Sequence, residues 1–446
     1  MHKPDVTVAV LGAGPAGLVA ARSLAAVGVD VAIVDGGAPA GRHGIESFPA
    51  SGAPLAAEIG MLELLCSVSD GPAASMHLSW RDATEQRIFE GEGPLLLDRE
   101  AMHAALRQDA ITKGCRLIAS RVREVRSDRL GADVLLETGR LTAELVIDAR
   151  GRVARAHAGD DLVALPFQAM AHENPHKMFL EAQVDGWLWA ASTPGDSLHG
   201  AVFLASNMLA GTTQETRNGL VAAALSGMRL VSGAQLHQMG RPVAAGFSAA
   251  DEPVAAARHI LIGDAAIARD PIASHGVVHA IRSGVQAAVA ACTILDKQTD
   301  SRAALAFLRH KHSQTVQAAR IATDAAYADQ SLHDSAFWRQ RRKELVRSAP
   351  ANTSDVVPVA IELTRAPVLN EDRIRWAPAI ALPETSDFFI AHGTIKAVDV
   401  AAASRPAASL ETIAKRLARS HNIRCVADVI ETLCAGGALP QAGVAA

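Results

Sequence analysis

The chain of 446 residues is poor in several things that would point to particular classes of protein. Its five cysteines, Cys66, Cys115, Cys292, Cys425 and Cys434, are scattered, and none forms a C-x-x-C pair. That argues against a disulfide framework and a cysteine-based zinc site, and fits a reducing compartment. Aromatic residues make up 4%, with a single tyrosine, Tyr327, so Ala, Val, Leu and Ile must supply most of the packing. The net charge is −4 and no long block of like charge occurs, so no nucleic-acid partner is expected. The densest basic run, Arg339, Arg341, Arg342 and Lys343, reads as a solvated helix face. No run of about 18 apolar residues is present, so no membrane partner is expected. The apolar stretch Val6–Leu11 is too short for a signal core, and a cytoplasmic protein is the expectation. Among 17 histidines no metal-ligand spacing or Ser-His-Asp order stands out, and no metal is expected. What is abundant is apolar residue, 49% of the chain, enough for a large core. At roughly 100–200 residues per domain, the length suggests two to four structural units.

The first forty residues carry the strongest local pattern. Val6–Leu11 is a continuous β-rich apolar run, as expected of a buried parallel strand. Gly12-Ala13-Gly14-Pro15-Ala16-Gly17 follows, then an Ala-rich helical stretch, then a second strand ending in Asp35. In such a βαβ unit the first glycine permits a tight turn. The second lets the backbone approach a pyrophosphate, and the third lets the helix pack close to the sheet. The N-terminus of the helical stretch Leu18–Val27, which follows the turn residues Pro15 and Ala16, offers free N–H groups to phosphate. Asp35 stands where a carboxylate can accept from ribose hydroxyls. The expected ligand is a dinucleotide.

A second pattern lies far downstream. Ile260-Leu261-Ile262-Gly263-Asp264 starts as a strand, Asp270-Pro271 and Ser274-His275-Gly276 follow, and Val277–Leu295 has the spacing of an apolar helix face. This order resembles the second FAD fingerprint of single-component flavoprotein hydroxylases with the p-hydroxybenzoate hydroxylase fold. The resemblance implies that Asp264 holds the ribityl chain. It also implies that the Asp270-Pro271 turn, with the helix opening at Gly276, faces the pyrimidine edge of the isoalloxazine. Reduced flavin carries negative charge there, and a helix N-terminus stabilises it. Leu97-Asp98-Arg99 resembles the segment whose arginine contacts FAD. Val146-Ile147-Asp148-Ala149-Arg150-Gly151 resembles the Asp-Ala-Thr-Gly stretch that closes the dinucleotide domain, with Arg150 in place of Thr. Arg42 is a further candidate for the FAD adenosine or phosphates. No second G-x-G-x-x-G occurs, so electrons must come from NAD(P)H bound transiently or from a separate reductase.

The implied fold is α/β. It has a Rossmann-like FAD-binding domain of the glutathione-reductase type (1–74, 95–160 and 245–300) and a substrate domain built on an antiparallel sheet (75–94 and 161–244). Long helices (301–348) and a small helical, winged-helix-like C-terminal module (355–446) complete it. In the substrate sheet, Trp187 and Trp189 share one face by their period-2 spacing and are candidates for the pocket wall, as ordinary sheet packing also allows. In the module, Ser409–Leu417 and Val426–Cys434 read as amphipathic helices, the first with Lys415 and Arg416.

Trp187-Leu188-Trp189 followed by Thr193-Pro194 also resembles flavin-dependent tryptophan halogenases, as does Arg42-His43-Gly44-Ile45-Glu46-Ser47-Phe48-Pro49. Those enzymes use a lysine soon after the first FAD motif, yet no lysine occurs between Lys3 and Lys113. The Asp270-Pro271 turn is also of the hydroxylase kind. Within the halogenase-like branch the chain best resembles the hydroxylases that modify tryptophan inside a protein during tryptophylquinone biosynthesis. The reaction so implied is hydroxylation by a flavin C4a-hydroperoxide formed from reduced FAD and O2. The substrate is then a tryptophan of a protein or peptide, which the C-terminal module is a candidate to dock. His275 is the candidate for proton transfer, against a bland role in capping its helix or bonding a carbonyl, and His43 is a weaker candidate near the substrate. Halogenation, small-aromatic hydroxylation, a reductase of the geranylgeranyl kind and a non-catalytic flavin-stabilised maturation or binding partner are the rival readings. The oligomeric state is open.

Overall fold

The computed structural model describes residues 3–37, 44–91, 93–154, 162–256, 258–273, 275–342, 360–370 and 372–439. The chain divides into two compact units, Met1–Ala288 with Thr315–Leu345, and Val289–Gln314 with Val346–Ala446.

The first unit is organised on two sheets. In one, the strands run in the order Val254–Ala256, His259–Leu261, Gly139–Asp148, Val6–Leu11, Val31–Asp35 and Arg116–Ala119. Val6–Leu11 is paired in parallel on both sides, with Leu11 opposite both Asp148 and Val34. That strand is central, which is why its residues are apolar without alternation: all but Thr7 are buried. The register brings the C-terminal ends of neighbouring strands level, so Gly12, Ala149 and Asp35 emerge along one rim. The helices Pro15–Ala26 and Gly276–Leu295 meet closely, and a Cβ on Gly284 would lie 2.7 Å from the Ala16 carbonyl oxygen. Gly276–Leu295 is long and apolar enough to cross a membrane, yet 61% of its most apolar window is buried, as in a core helix.

The second sheet joins Gln235–Met239, Leu162–Met170, Ser197–Ala205, Gly186–Thr193, Lys177–Gln183, Ser75–Ser79 and Glu85–Ile88 in that order. It was expected to be antiparallel, but Ser75–Ser79 runs parallel to Lys177–Gln183. The long excursion through the first sheet separates these strands, and a crossover of that length permits a parallel join that a hairpin cannot make. Pro194-Gly195-Asp196 makes the turn read from the sequence, with Gly195 and Asp196 both at positive φ (83° and 54°). Side chains alternate between the two faces. Leu165, Phe167, Leu188, Ala190 and Val202 pack with Val221 and Leu225 of the helix Gln214–Ser226. On the other face, Leu162, Trp187 and Phe203 pack with Trp80, Tyr327, Phe337 and Trp338.

The second unit is larger than the C-terminal module read from the sequence. It takes in 289–314, tied to the C-terminal residues by hydrogen bonds. Ile374 N donates to Thr293 Oγ1 at 3.0 Å, Trp376 Nε1 to Asp300 at 3.1 Å, and His310 Nε2 lies 3.1 Å from Asp387. The strands Thr364–Asn370, Arg373–Leu382 and Asp387–Phe389 precede three helices, Ala397–Ala403, Leu410–Leu417 and Ile423–Ala435. The apolar faces of these elements close on Ile380, Ile395, Val400, Ile413, Val429 and Leu433. The basic residues of Leu410–Leu417 are used internally. Lys415 pairs with Glu411, and Arg416 donates to the carbonyls of Ala403 and Arg405 at 2.8 and 3.1 Å.

Candidate functional site

The glycine turn has the geometry of a phosphate cradle. Gly12 has φ +102°, which an L side chain resists, and a Cβ there would fall 2.6 Å from the Ala149 carbonyl oxygen. A Cβ on Gly17 would lie 2.1 Å from the Gly12 carbonyl oxygen. Gly14 differs: its φ is −79° and nothing lies within 4 Å of its would-be Cβ. Space is therefore open on the one glycine over which a ligand's phosphates would pass. The helix Pro15–Ala26 has no side-chain cap and no acid in its first turn, so its leading N–H groups remain available to an anion. Pro15 at the start has no N–H to satisfy. These residues fit the pyrophosphate of a dinucleotide.

Three segments distant in sequence close around this turn. Gly12 packs on Ala149 and Arg150, a Cβ on Gly263 would meet Ala16 at 2.8 Å, and one on Gly151 would meet Asp264 Cβ at 3.9 Å. Gly263 N donates to Ser283 Oγ at 3.1 Å. Asp264 is half-exposed, with Arg152 Nε 3.8 Å away, and Arg152 also donates to the Ala245 and Gly246 carbonyls.

Arg150, which stands where the resemblance expects Thr, grips Asp148 with two bonds, Nε to Oδ1 at 2.9 Å and Nη2 to Oδ2 at 2.6 Å. Asp148 is 1% exposed. Burial opposes its ionisation, but hydrogen bonds from His259 and Arg150 outweigh that and hold its carboxyl below the ordinary range. The arginine therefore serves as the counter-ion of a buried carboxylate.

Asp35 sits at its strand end as read from the sequence, but not as a bare carboxylate. Its Oδ1 accepts from Gly37 N at 3.0 Å, and its Oδ2 pairs with Arg107 of the helix Arg99–Thr112. Sequence reasoning missed Arg107, which no local spacing connects to Asp35. Arg99 opens that helix, with Nε 3.2 Å from Glu46 Oε1. That Nε is buried and has no hydrogen-bond partner among the described residues, which suits a residue facing a ligand. Arg42 and His43 lie outside the described residues.

Downstream, the turn Pro271–Ala273 leads to the helix that opens at Gly276. Asp270 is 3% exposed, and its Oδ1 accepts the N–H of Ile272 at 3.0 Å. Its Oδ2 accepts from the Tyr327 hydroxyl at 3.0 Å. His275 is exposed and its Nδ1 bonds the Ala273 carbonyl, which precedes the helix, so the contact is a carbonyl bond and not a cap on the helix N–H groups. On the buried face of the same helix, His279 lies against the Gly263 and Ile267 backbone. Burial, helped by the charge of Arg269, pushes its pKa down to about 4, so it is a neutral imidazole at working pH. It was missed in the sequence, although its position one turn after His275 in an apolar helix signals a buried side.

Trp187 is 1% exposed and stacked on Phe203 at 3.7 Å between ring centroids. The expected pocket wall is thus sealed into the core of this layer at Trp187, because the aromatic cluster from 327–338 covers that face. Trp189, half-buried, is the more open of the two.

The sequence matches the family described as lycopene cyclase protein over residues 7–171, and the family described as tryptophan halogenase over residues 94–362. No curated protein matches significantly. Among solved structures, the peptidyl tryptophan dihydroxylase QhpG, essential for tryptophylquinone cofactor biogenesis, superposes with a TM-score of 0.75 at 24% identity. That match covers 98% of this chain and 100% of QhpG. The flavin-dependent halogenase CmlS superposes with a TM-score of 0.79 at 18% identity, covering 98% of this chain and 96% of CmlS. A geranylgeranyl bacteriochlorophyll reductase-like protein from Thermoplasma acidophilum reaches a TM-score of 0.60 at 17% identity, covering 76% of this chain and 89% of its own. The fold is that of the FAD-binding halogenases and monooxygenases.

Proposed function

The chain belongs to the tryptophan halogenase family, and we propose that within it this protein hydroxylates the indole ring of a tryptophan held in a protein or peptide. It is an FAD-dependent oxidoreductase that uses O2. The observation that carries the hydroxylase reading is the lack of any lysine between Lys3 and Lys113. Halogenation needs an ammonium to position hypohalous acid, and Lys177 of the second sheet is already paired with Glu173 at 2.9 Å. The peptide substrate is supported by the end-to-end likeness to peptidyl tryptophan dihydroxylase, which extends through the C-terminal unit. Five free cysteines suit a cytoplasmic setting.

In this reading Gly12, Gly14, Pro15, Ala16 and Gly17 hold the pyrophosphate, and Asp35 with Arg107 meets the adenosine ribose. Arg99 and Asp264 flank the remaining chain of the cofactor. The Asp270-Pro271 turn and the helix opening at Gly276 face the flavin ring. Bound and reduced by NAD(P)H or a separate reductase, FAD supplies with O2 an electrophilic oxygen atom. Each round places one oxygen on the ring in place of hydrogen. The other leaves as water, with two electrons taken from the reduced cofactor. His275, exposed one residue before Gly276, is the residue we assign to proton transfer. The second sheet, with the half-buried Trp189, holds the indole and keeps water out.

The test is direct. The purified protein should be yellow. With reductant, O2 and tryptophan-bearing peptides, the peptide should gain the mass of one or two oxygen atoms, while free L-tryptophan should react poorly. A chlorine or bromine mass shift in the presence of halide would overturn the hydroxylase reading, and equal turnover of free tryptophan would overturn the peptide substrate.

A further inference from the structure

Tyr327 is the only tyrosine in the chain. It lies on the helix Ser301–Asp329 and is 3% exposed, in an aromatic cluster with Trp80, Trp187 and Trp338. Its hydroxyl makes two bonds. Trp187 Nε1 is 3.3 Å away, and Asp270 Oδ2 is 3.0 Å away. An indole nitrogen can only donate. The phenol oxygen therefore accepts from Trp187, and its own proton is directed to Asp270. The other oxygen of Asp270 accepts the N–H of Ile272, inside the turn that leads to the Gly276 helix. One hydroxyl thus joins the second sheet, the helix Ser301–Asp329 and the turn at Asp270.

Volume alone does not account for a tyrosine here. Phenylalanine would fill the same space but remove the acceptor of a buried indole N–H and one donor to a buried carboxylate. Burial first, and then the charge of Asp270, push the phenol well above its ordinary pKa, against the opposing influence of Trp187 and Arg341. Its proton therefore stays in place as a donor.

We propose that Tyr327 is a positioning residue that fixes the Asp270-Pro271 turn against the cofactor ring and ties that turn to the Trp187 sheet. The inference rests on the FAD reading above, and it predicts an effect on the bound flavin from a residue that need not touch it.

The experiment uses the full-length holoenzyme. Because Tyr327 is the sole tyrosine, growth on 3-fluorotyrosine alters only this side chain, lowering its phenol pKa while nearly preserving its volume. The fluorine resonance is expected to move when the flavin is reduced. The labelled protein should also show displaced flavin absorption bands and a shifted flavin midpoint potential. Y327F and D270N should each shift the same bands, and the double variant should shift them by less than the sum of the two, since both act through one turn. A fluorine resonance blind to flavin reduction, together with wild-type flavin bands in the labelled protein, overturns the proposal even if Y327F fails to fold. A colourless wild-type protein overturns the FAD reading and this inference together. A yellow wild type with no effect at Tyr327 overturns this inference alone.

Discussion

Gly12 and Ala149 approach so closely that a Cβ on Gly12 would lie 2.6 Å from the Ala149 carbonyl oxygen. They directly follow two neighbouring parallel strands, and their contact is where two parts of the dinucleotide site are welded together. Gly14, two residues on, faces open space. The two glycines should therefore respond differently to the same change. G12A is expected to destabilise the fold by about 2 kcal/mol or more, from positive φ and steric overlap together. G14A should stay within about 1 kcal/mol of wild type, since its backbone suits alanine. Its FAD affinity should nevertheless fall by roughly tenfold or more, because the methyl occupies the path of the pyrophosphate. Urea melts of the apoprotein and flavin titration check both halves. Tight FAD binding by a folded G14A would show that the phosphates lie elsewhere.

His279 should make the fold sensitive to mild acid. Its folded pKa is about 4, against 6.5 for the unfolded chain. As pH falls below 6.5 the unfolded chain takes up a proton that the folded protein refuses until about pH 4. Stability is therefore lost across that window and is unaffected by this residue above it. At pH 5 the loss attributable to His279 is about 2 kcal/mol. Urea midpoints measured at pH 7 and pH 5 should converge more closely in H279Q than in wild type. Equal slopes in the two proteins would mean that His279 is not held neutral.

Ser404 should anchor the start of the C-terminal core. It is fully buried, accepts from Ile361 N at 2.9 Å and donates to the Ala401 carbonyl at 2.8 Å. S404A removes the acceptor of a buried N–H, at a cost of about 1–3 kcal/mol. Hydrogen exchange should show the Ile361 amide losing protection by roughly tenfold or more, while amides of Val6–Leu11 keep theirs. Unchanged exchange at Ile361 would count against the hydrogen bond.

Parts of this architecture are legible from short stretches of chain. The βαβ unit could be read because the glycine requirements are local: a positive φ, a close approach and a helix start all fall within six residues. The alternation in Gly186–Thr193 places Trp187 and Trp189 on one face for the same reason, since a strand has a period of two wherever it lies. The Gly195 turn followed from residue types that favour left-handed backbone.

Other parts depend on residues that meet only after folding. Nothing near Asp35 announces Arg107, and nothing near Asp148 announces His259. The carboxylates were visible as carboxylates, but whether each stands free or neutralised depends on side chains delivered by distant elements. Trp187 is the same case for apolar surface. Its face was readable, while its burial follows from the cluster at 327–338 that lies against it. The parallel join of Ser75–Ser79 to Lys177–Gln183 and the inclusion of 289–314 in the second unit are likewise long-range outcomes.

By itself, then, the sequence determined the backbone of the cofactor cradle and the facing of its strands, because dihedral preference and side-chain periodicity act between near neighbours. Only the tertiary structure decided which carboxylates carry a counter-ion, which rings are sealed and which hydroxyl links sheet to turn. Solvation and charge at a buried atom are set by whatever the fold packs against it, however remote in the chain.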